Sequence, residues 1–185
     1  AEQDALKRRI GVKDDAAARY RLALLLIGRD DSSALANLEA AVKLDEQVAP
    51  AAETLRAAVA ATAREPDASS RLVVIGRSLG LVEEWELAAR AFDEAANLDN
   101  SNAQARAWLG EARQHMNENG RLDLDEALRL DPNDPVVHTL RGLYWRRSGN
   151  LGVSLAEYAR AAALDPANAG LQSLLGEAYA ASGDL

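Results

Sequence analysis

Four times the chain writes a small residue, then Leu-Asp, then a break: AVKLDEQV from residue 41, AANLDNSN from 95, ALRLDPND from 127 and AAALDPAN from 161. The leucines are Leu44, Leu98, Leu130 and Leu164, spaced by 54, 32 and 34 residues. A signature recurring at a near-constant interval marks a small structural unit that is copied and stacked, because one copy cannot bury its apolar face alone. The interval of 54 holds one such unit and about one helix more.

The units are expected to be helical. The chain holds 39 alanines and 28 leucines but one Phe and no Cys, and Ala and Leu favour helix over strand. Apolar residues recur at three and four, with a break every 12–18 residues. This pattern predicts helices over 2–11, 14–28, 32–45, 50–64, 69–80, 84–98, 103–116, 122–130, 135–147, 151–164 and 169–182. DPNDP at 131–135 and DPAN at 165–168 end helices at proline and offer caps to the next. SGN at 148–150 and SGD at 182–184 place glycine just past a helix end.

Small residues then fall where paired helices must cross closely, with aromatics three residues after the glycine. Residues 69–102 give Leu72, Ile75, Gly76 and Leu79, then Ala88, Phe92, Ala95, Leu98 and Asp99. Residues 135–168 give Gly142, Trp145, Gly149, Tyr158, Ala161, Leu164 and Pro166. Residues 103–134 keep Leu109, Gly110, Ala127 and Pro132; the last segment gives Leu175, Gly176, Tyr179 and Gly183; residues 15–48 give Leu22, Ala23, Leu35, Leu38, Ala41 and Leu44. This pattern resembles the tetratricopeptide repeat (TPR), a 34-residue helix-turn-helix. It departs at His138 and Arg141, which stand where the repeat has Trp and Leu, and at Ser154, which replaces Ala.

The resemblance implies an all-α, right-handed solenoid of stacked helix-turn-helix repeats, in which each Leu-Asp leucine packs on the next unit. Residues 1–66 are expected to form an N-terminal segment with one degenerate repeat and an extra single helix. Residues 67–185 are expected to form the array, with units at about 69–102, 103–134 and 135–168 and a half unit at 169–185. The extra helix predicts a bend or seam near residues 64–70. The half unit leaves either a shortened chain or a surface that another chain covers.

The chemical inventory is thin. The net charge is −8, and residues 67–185 carry 11 basic against 18 acidic side chains, so a nucleic-acid surface is not expected. No apolar run approaches the ~20 residues of a membrane span. A cytoplasmic location is the default expectation, with an upstream signal or anchor left open. There is no thiol, and nothing in the spacing assembles a nucleophile with a base, so no enzyme, catalytic residue or cofactor is expected. His138 reads as a packed or capping histidine. Residues 115–126 partly match a calcium loop through Asn117, Asn119, Asp123 and Glu126, but His115 stands where the pattern needs Asp. A lengthened turn with Gly120 left-handed is the preferred reading, and no metal is expected.

Binding a protein is the expected function. In stacked repeats of this kind the first helix of each pair lines the concave side. By helical phase Val73, Arg77, Gln104, Glu111, Gln114, Val136, Thr139, Leu143 and Arg147 face a peptide or partner helix, with Ser70, Ala107, Ser173 and Glu177 beside them. Apolar Val136 and Leu143 would anchor it, and Arg77 or Arg147 would take carboxylates. The carboxylate clamp of some family members uses paired Lys and Asn; here Val73, Arg77 and Trp108 stand in those places, so that role does not transfer. The alternative is self-assembly through Leu171, Leu174, Leu175 and Tyr179, an apolar row on 169–182, which would make the protein a homo-oligomer.

Overall fold

The computed structural model describes residues 1–65 and 67–182. Pro66, at the edge of the expected N-terminal segment, and Gly183, expected just past the last helix, lie outside the described residues, as do Asp184 and Leu185. Among the described residues there are eleven α-helices and no strand. In chain order they are α1 (Glu2–Val12), α2 (Ala16–Leu26), α3 (Asp31–Leu44), α4 (Ala49–Thr62), α5 (Ala68–Leu81), α6 (Trp85–Leu98), α7 (Ala103–His115), α8 (Arg121–Leu130), α9 (Pro135–Arg147), α10 (Leu151–Leu164) and α11 (Ala169–Ser182). A short 3-10 turn, Glu46–Val48, joins α3 to α4 and has no counterpart in the sequence reading.

The leucine of the recurring signature packs on the next unit as expected at Leu130, which lies against the cluster that holds Val137 and Leu140, but not in every copy. Leu44 and Leu98 are half exposed, at 49% and 58%. The constant element is the alanine three residues earlier: Ala41, Ala95, Ala127 and Ala161 are all completely buried. Each also accepts the closing hydrogen bond of its helix, from the backbone N–H of Asp45, Asp99, Asp131 and Asp165 at 2.9–3.1 Å. Three of those aspartates then fold the turn. Their carboxylates accept from the backbone N–H two residues on, at Gln47, Ser101 and Asn133, each at 2.9 Å. The aspartate thus ends one helix and shapes the turn to the next, as short polar side chains do.

Helix starts follow the same economy. Asp15, Asp30, Asp67, Asn102, Asp134, Asn150 and Asn168 each accept a backbone N–H in the first turn of the helix they precede. Left-handed residues appear at Gly28, Glu83, Asn117 and Gly149. The expected helix end at Gly80 is displaced: α5 runs to Leu81 and Glu83 takes the positive φ. Gly80 is small for another reason, since a Cβ there would lie 2.7 Å from the Trp85 ring.

Packing divides the chain into residues 1–91 and 92–185, so the division falls inside α6 and not near residues 64–70. In the first unit α1 packs on α2, α2 on α3, and α4 on both α3 and α5. The turn at Gly28, after α2, lies against Leu72 and Ile75 of α5, and Arg21 of α2 reaches Glu84 at 3.3 Å. In the second unit α7 packs on α8 and α9, α9 on α8 and α10, and α10 on α11. Ala103, Ala107, Leu124, Ala127, Val137 and Leu140 form its main apolar cluster.

A candidate partner-binding face in the second unit

Two rows of side chains stand on the first helices of successive repeats. Gln104, Trp108, Glu111 and His115 recur at three and four along α7; Val136, Thr139, Leu143 and Arg147 do so along α9. Two cross-links hold the rows side by side. Gln104 Nε2 donates to Asp134 Oδ2 at 2.8 Å, the carboxylate that also caps α9. Arg147 sets both Nη atoms on the Glu111 carboxylate at 2.7 and 2.8 Å, a two-pronged bond across 36 residues of sequence. His115 Nε2 lies 3.2 Å from the same carboxylate.

Between the cross-links the surface is apolar. Trp108, Val136 and Leu143 are half buried and lean on the main cluster. Trp108 stacks on Phe92 with ring centroids 6.1 Å apart. The face is therefore an apolar strip bounded by a glutamine–aspartate link at one end and a glutamate–arginine link at the other.

Several expected partner contacts are occupied within the chain. Glu111 is buried beneath Arg147, with 5% of its side chain exposed, so neither charge stands ready for a ligand. Thr139 donates to the Pro135 carbonyl and Gln114 to the Glu118 carbonyl. Ala107 is fully buried. Val73, in the first unit, is 5% exposed and part of the core, because its side of α5 is covered and not open. Arg77 is exposed on that helix, and Ser173 and Glu177 are exposed on α11. The sequence held one signal for the missed link: opposite charges at Glu111 and Arg147, about one repeat apart.

The row on α11 is partly spent as well. Leu171 is buried with Ala161 and Ala162 of α10, and Leu174 and Leu175 pack against that cluster. Tyr179 is 40% exposed.

The calcium-loop residues do not converge. Asp123 is buried and paired with Arg113, Glu126 is held by both prongs of Arg129, and Asn119 accepts the backbone N–H of Arg121. Burial raises the Asp123 pKa although Arg113 opposes it. The left-handed residue of this turn is Asn117, at φ 61°, and not Gly120, at φ −84°. Gly120 is small because a Cβ on it would lie 2.0 Å from the Gly110 carbonyl oxygen. Among the described residues no three His, Asp or Glu side chains are grouped to hold a metal. No helix among them is long and apolar enough to cross a membrane.

His138 is buried at the junction of α9 and α10. Its Nδ1 lies 2.7 Å from Glu157 Oε2, and its Nε2 lies 3.0 Å from the Pro132 carbonyl. Arg141 Nε donates to the other Glu157 oxygen at 2.9 Å and its Nη1 to Asp125 at 2.6 Å. The hydrogen bond to Glu157 raises the His138 pKa against the opposing effect of burial. Burial pushes Glu157 up, but the bonds from His138 and Arg141 prevail and hold it below the usual carboxylate value.

A further surface had no sequence signal. In the first unit α3 and α4 line an open trough of about 700 Å³, with Ser32, Leu35, Ala36 and Glu39 on one side and Arg56, Val59 and Ala60 on the other.

No protein-family profile matches the chain, and no curated protein matches it in sequence. Solved structures do. The chain is similar to TTC0263, a thermophilic TPR protein of Thermus thermophilus, with a TM-score of 0.57 and 18% identity over 91% of this chain and 84% of that one. It is similar to MamA (41 to end) from Desulfovibrio magneticus RS-1, with a TM-score of 0.51 and 18% identity over 92% and 87%. It is also similar to a chain of the APC/C hetero-tetramer Cut9-Hcn1, with a TM-score of 0.51 and 17% identity over 95% of this chain and 38% of that one.

Proposed function

We infer that the helix hairpins of each unit stack as they do in the TPR proteins whose fold this chain shares. We propose that it is a protein-interaction scaffold and that the α7–α9 face of the second unit holds a peptide or partner helix. The carrying observation is the half-buried strip of Trp108, Val136 and Leu143, framed by the Gln104–Asp134 and Glu111–Arg147 links. A fixed frame lets a few apolar contacts supply affinity with little ordering cost. Glu111 and Arg147 act as part of the frame, so the partner is read by apolar side chains first. The reading is of a binding module; no reaction is assigned to it.

The test is a selection of peptides from a displayed library on the intact chain, followed by mapping of the selected peptide on the amide spectrum. Perturbations centred on α7 and α9, and binding lost in Val136→Asp that keeps its helical signal, are expected. A peptide that perturbs only the α3–α4 trough, or one whose binding survives that substitution, sinks the proposal.

A second reading is self-assembly through α11, favoured by the 40% exposure of Tyr179 beside Leu174 and Leu175. Sedimentation over a range of concentrations decides it: mass that rises with concentration and returns to the monomer in Tyr179→Glu supports it. A constant monomer mass removes it.

A further inference from the structure

His138 stands where its repeat would place a tryptophan, and it is set between two acceptors. Glu157 Oε2 faces Nδ1 at 2.7 Å and the Pro132 carbonyl faces Nε2 at 3.0 Å. A neutral imidazole has one N–H, so one of these contacts would set a nitrogen lone pair against an oxygen lone pair. Only the doubly protonated ring satisfies both. The side chain is 9% exposed, so water cannot readily relieve the mismatch.

We propose that His138 is a proton-operated latch on the 131–134 turn, closed only while the imidazole carries both protons. The charged groups around it fit that role from every side. On α10, Glu157 attracts the proton and Arg160 opposes it. On α9, Arg141 shares Glu157 and is itself balanced by Asp125 of α8. On the turn, the Pro132 carbonyl accepts the second N–H.

The turn is the element with something to transmit. Asn133 accepts from Arg160 at 2.8 Å, and Asp134 caps α9 and accepts from Gln104 of α7 at 2.8 Å. With the proton gone, the ring turns toward either Glu157 or Pro132 and releases the other. Release of Pro132 loosens the turn from α9. The cap of α9 and the Gln104 link, one end of the α7–α9 frame, then move with it. The latch needs no partner to exist, so it stands or falls independently of the binding face.

The experiment follows the imidazole nitrogens and the turn amides of the intact chain by NMR from about pH 5 to about pH 9. His115→Gln assigns the two histidines. The expected result is both His138 nitrogens protonated at neutral pH, with a midpoint above the ordinary value near 6.5. Exchange protection of the Val136 and Val137 amides, corrected for intrinsic base catalysis, should fall on the order of tenfold through that midpoint, the loss of one charge-assisted bond. In Glu157→Gln the midpoint should drop and the protection change should move with it. A neutral His138 at pH 6, or protection that ignores its titration, overturns the proposal. The wild-type titration decides even if the variant does not fold.

Discussion

Gly142 and Gly176 hold the same place in successive repeats, 34 residues apart, and the same substitution should have opposite effects on them. A Cβ on Gly142 would lie 2.5 and 2.6 Å from Tyr158 Cε1 and Cδ1. Tyr158 is 1% exposed, so its ring has nowhere to go. Overpacking of this kind costs about 1–3 kcal/mol, against a helix gain of about 0.5–1 kcal/mol for replacing glycine by alanine. Gly142→Ala should therefore lose about 1–2 kcal/mol. At Gly176 no described atom beyond its chain neighbours and its own helix backbone lies within 4 Å of the added methyl, and only the helix gain remains. The two variants should differ by about 2–3 kcal/mol, or several degrees in melting temperature at ~2–4 °C per kcal/mol for a chain of this size. Urea titrations followed by helical circular dichroism give the order, and amide exchange in α9 and α10 localises the loss, since repeat arrays need not melt as one unit. The decisive variant carries Tyr158→Ala as well. With the ring gone, Gly142→Ala should become stabilising by about 0.5–1 kcal/mol. If it stays harmful there, or is harmless in the wild type, the steric reasoning is wrong.

Three further outcomes follow from the side-chain links. Arg147→Ala should destabilise the second unit by about 2–5 kcal/mol, because it leaves the buried Glu111 carboxylate with the His115 contact alone, and the double variant with Glu111→Ala should recover part of that loss in a denaturation cycle. Glu157 has a folded pKa below its ordinary 4.5, so its contribution is complete above that value and is lost as pH falls through the folded one. Acid unfolding should therefore be shallower in Glu157→Gln when stability is measured from pH about 6 down to about 3. Millimolar calcium should leave the melting temperature unchanged, since Asp123 and Glu126 are held by Arg113 and Arg129; a rise that Glu126→Gln abolishes would contradict that arrangement.

The helices were legible because each is announced locally. The alanine-leucine periodicity, the aspartate that ends a helix and the Asp or Asn that starts the next all act within a few residues of one another. The expected and observed bounds of α9, α10 and α11 coincide. The candidate face was less legible, because what decides it lies one repeat away. Helical phase put Glu111 and Arg147 on one side of their helices but could not say that they would meet and neutralise each other. Phase failed at Val73 for a related reason: which side of a first helix stays open depends on what the rest of the unit lays over it. The glycines misled in a third way. The expected bounds put a helix end at Gly80 and a left-handed turn at Gly120, yet each is small so that Trp85 or the Gly110 backbone can come close, and the packing of one helix on the next leaves no mark on the glycine itself.

The internal links change what kind of partner the face can serve. An arginine open to solvent can exchange water for a ligand carboxylate at little cost. Arg147 is costlier to engage, because a ligand that takes its guanidinium leaves the buried Glu111 carboxylate with the His115 contact alone. That penalty selects against acidic anchors at this end of the strip and leaves the apolar surface of Trp108, Val136 and Leu143 as the main source of affinity. The same reasoning separates the two ends of the frame. The Glu111–Arg147 link closes with a two-pronged ion pair, whereas the Gln104–Asp134 link is a single bond to a residue on the turn that His138 holds. If the frame yields anywhere when a partner binds, it yields at Asp134 first, and amide exchange at Val136 and Val137 should respond to a bound peptide before exchange near Arg147 does.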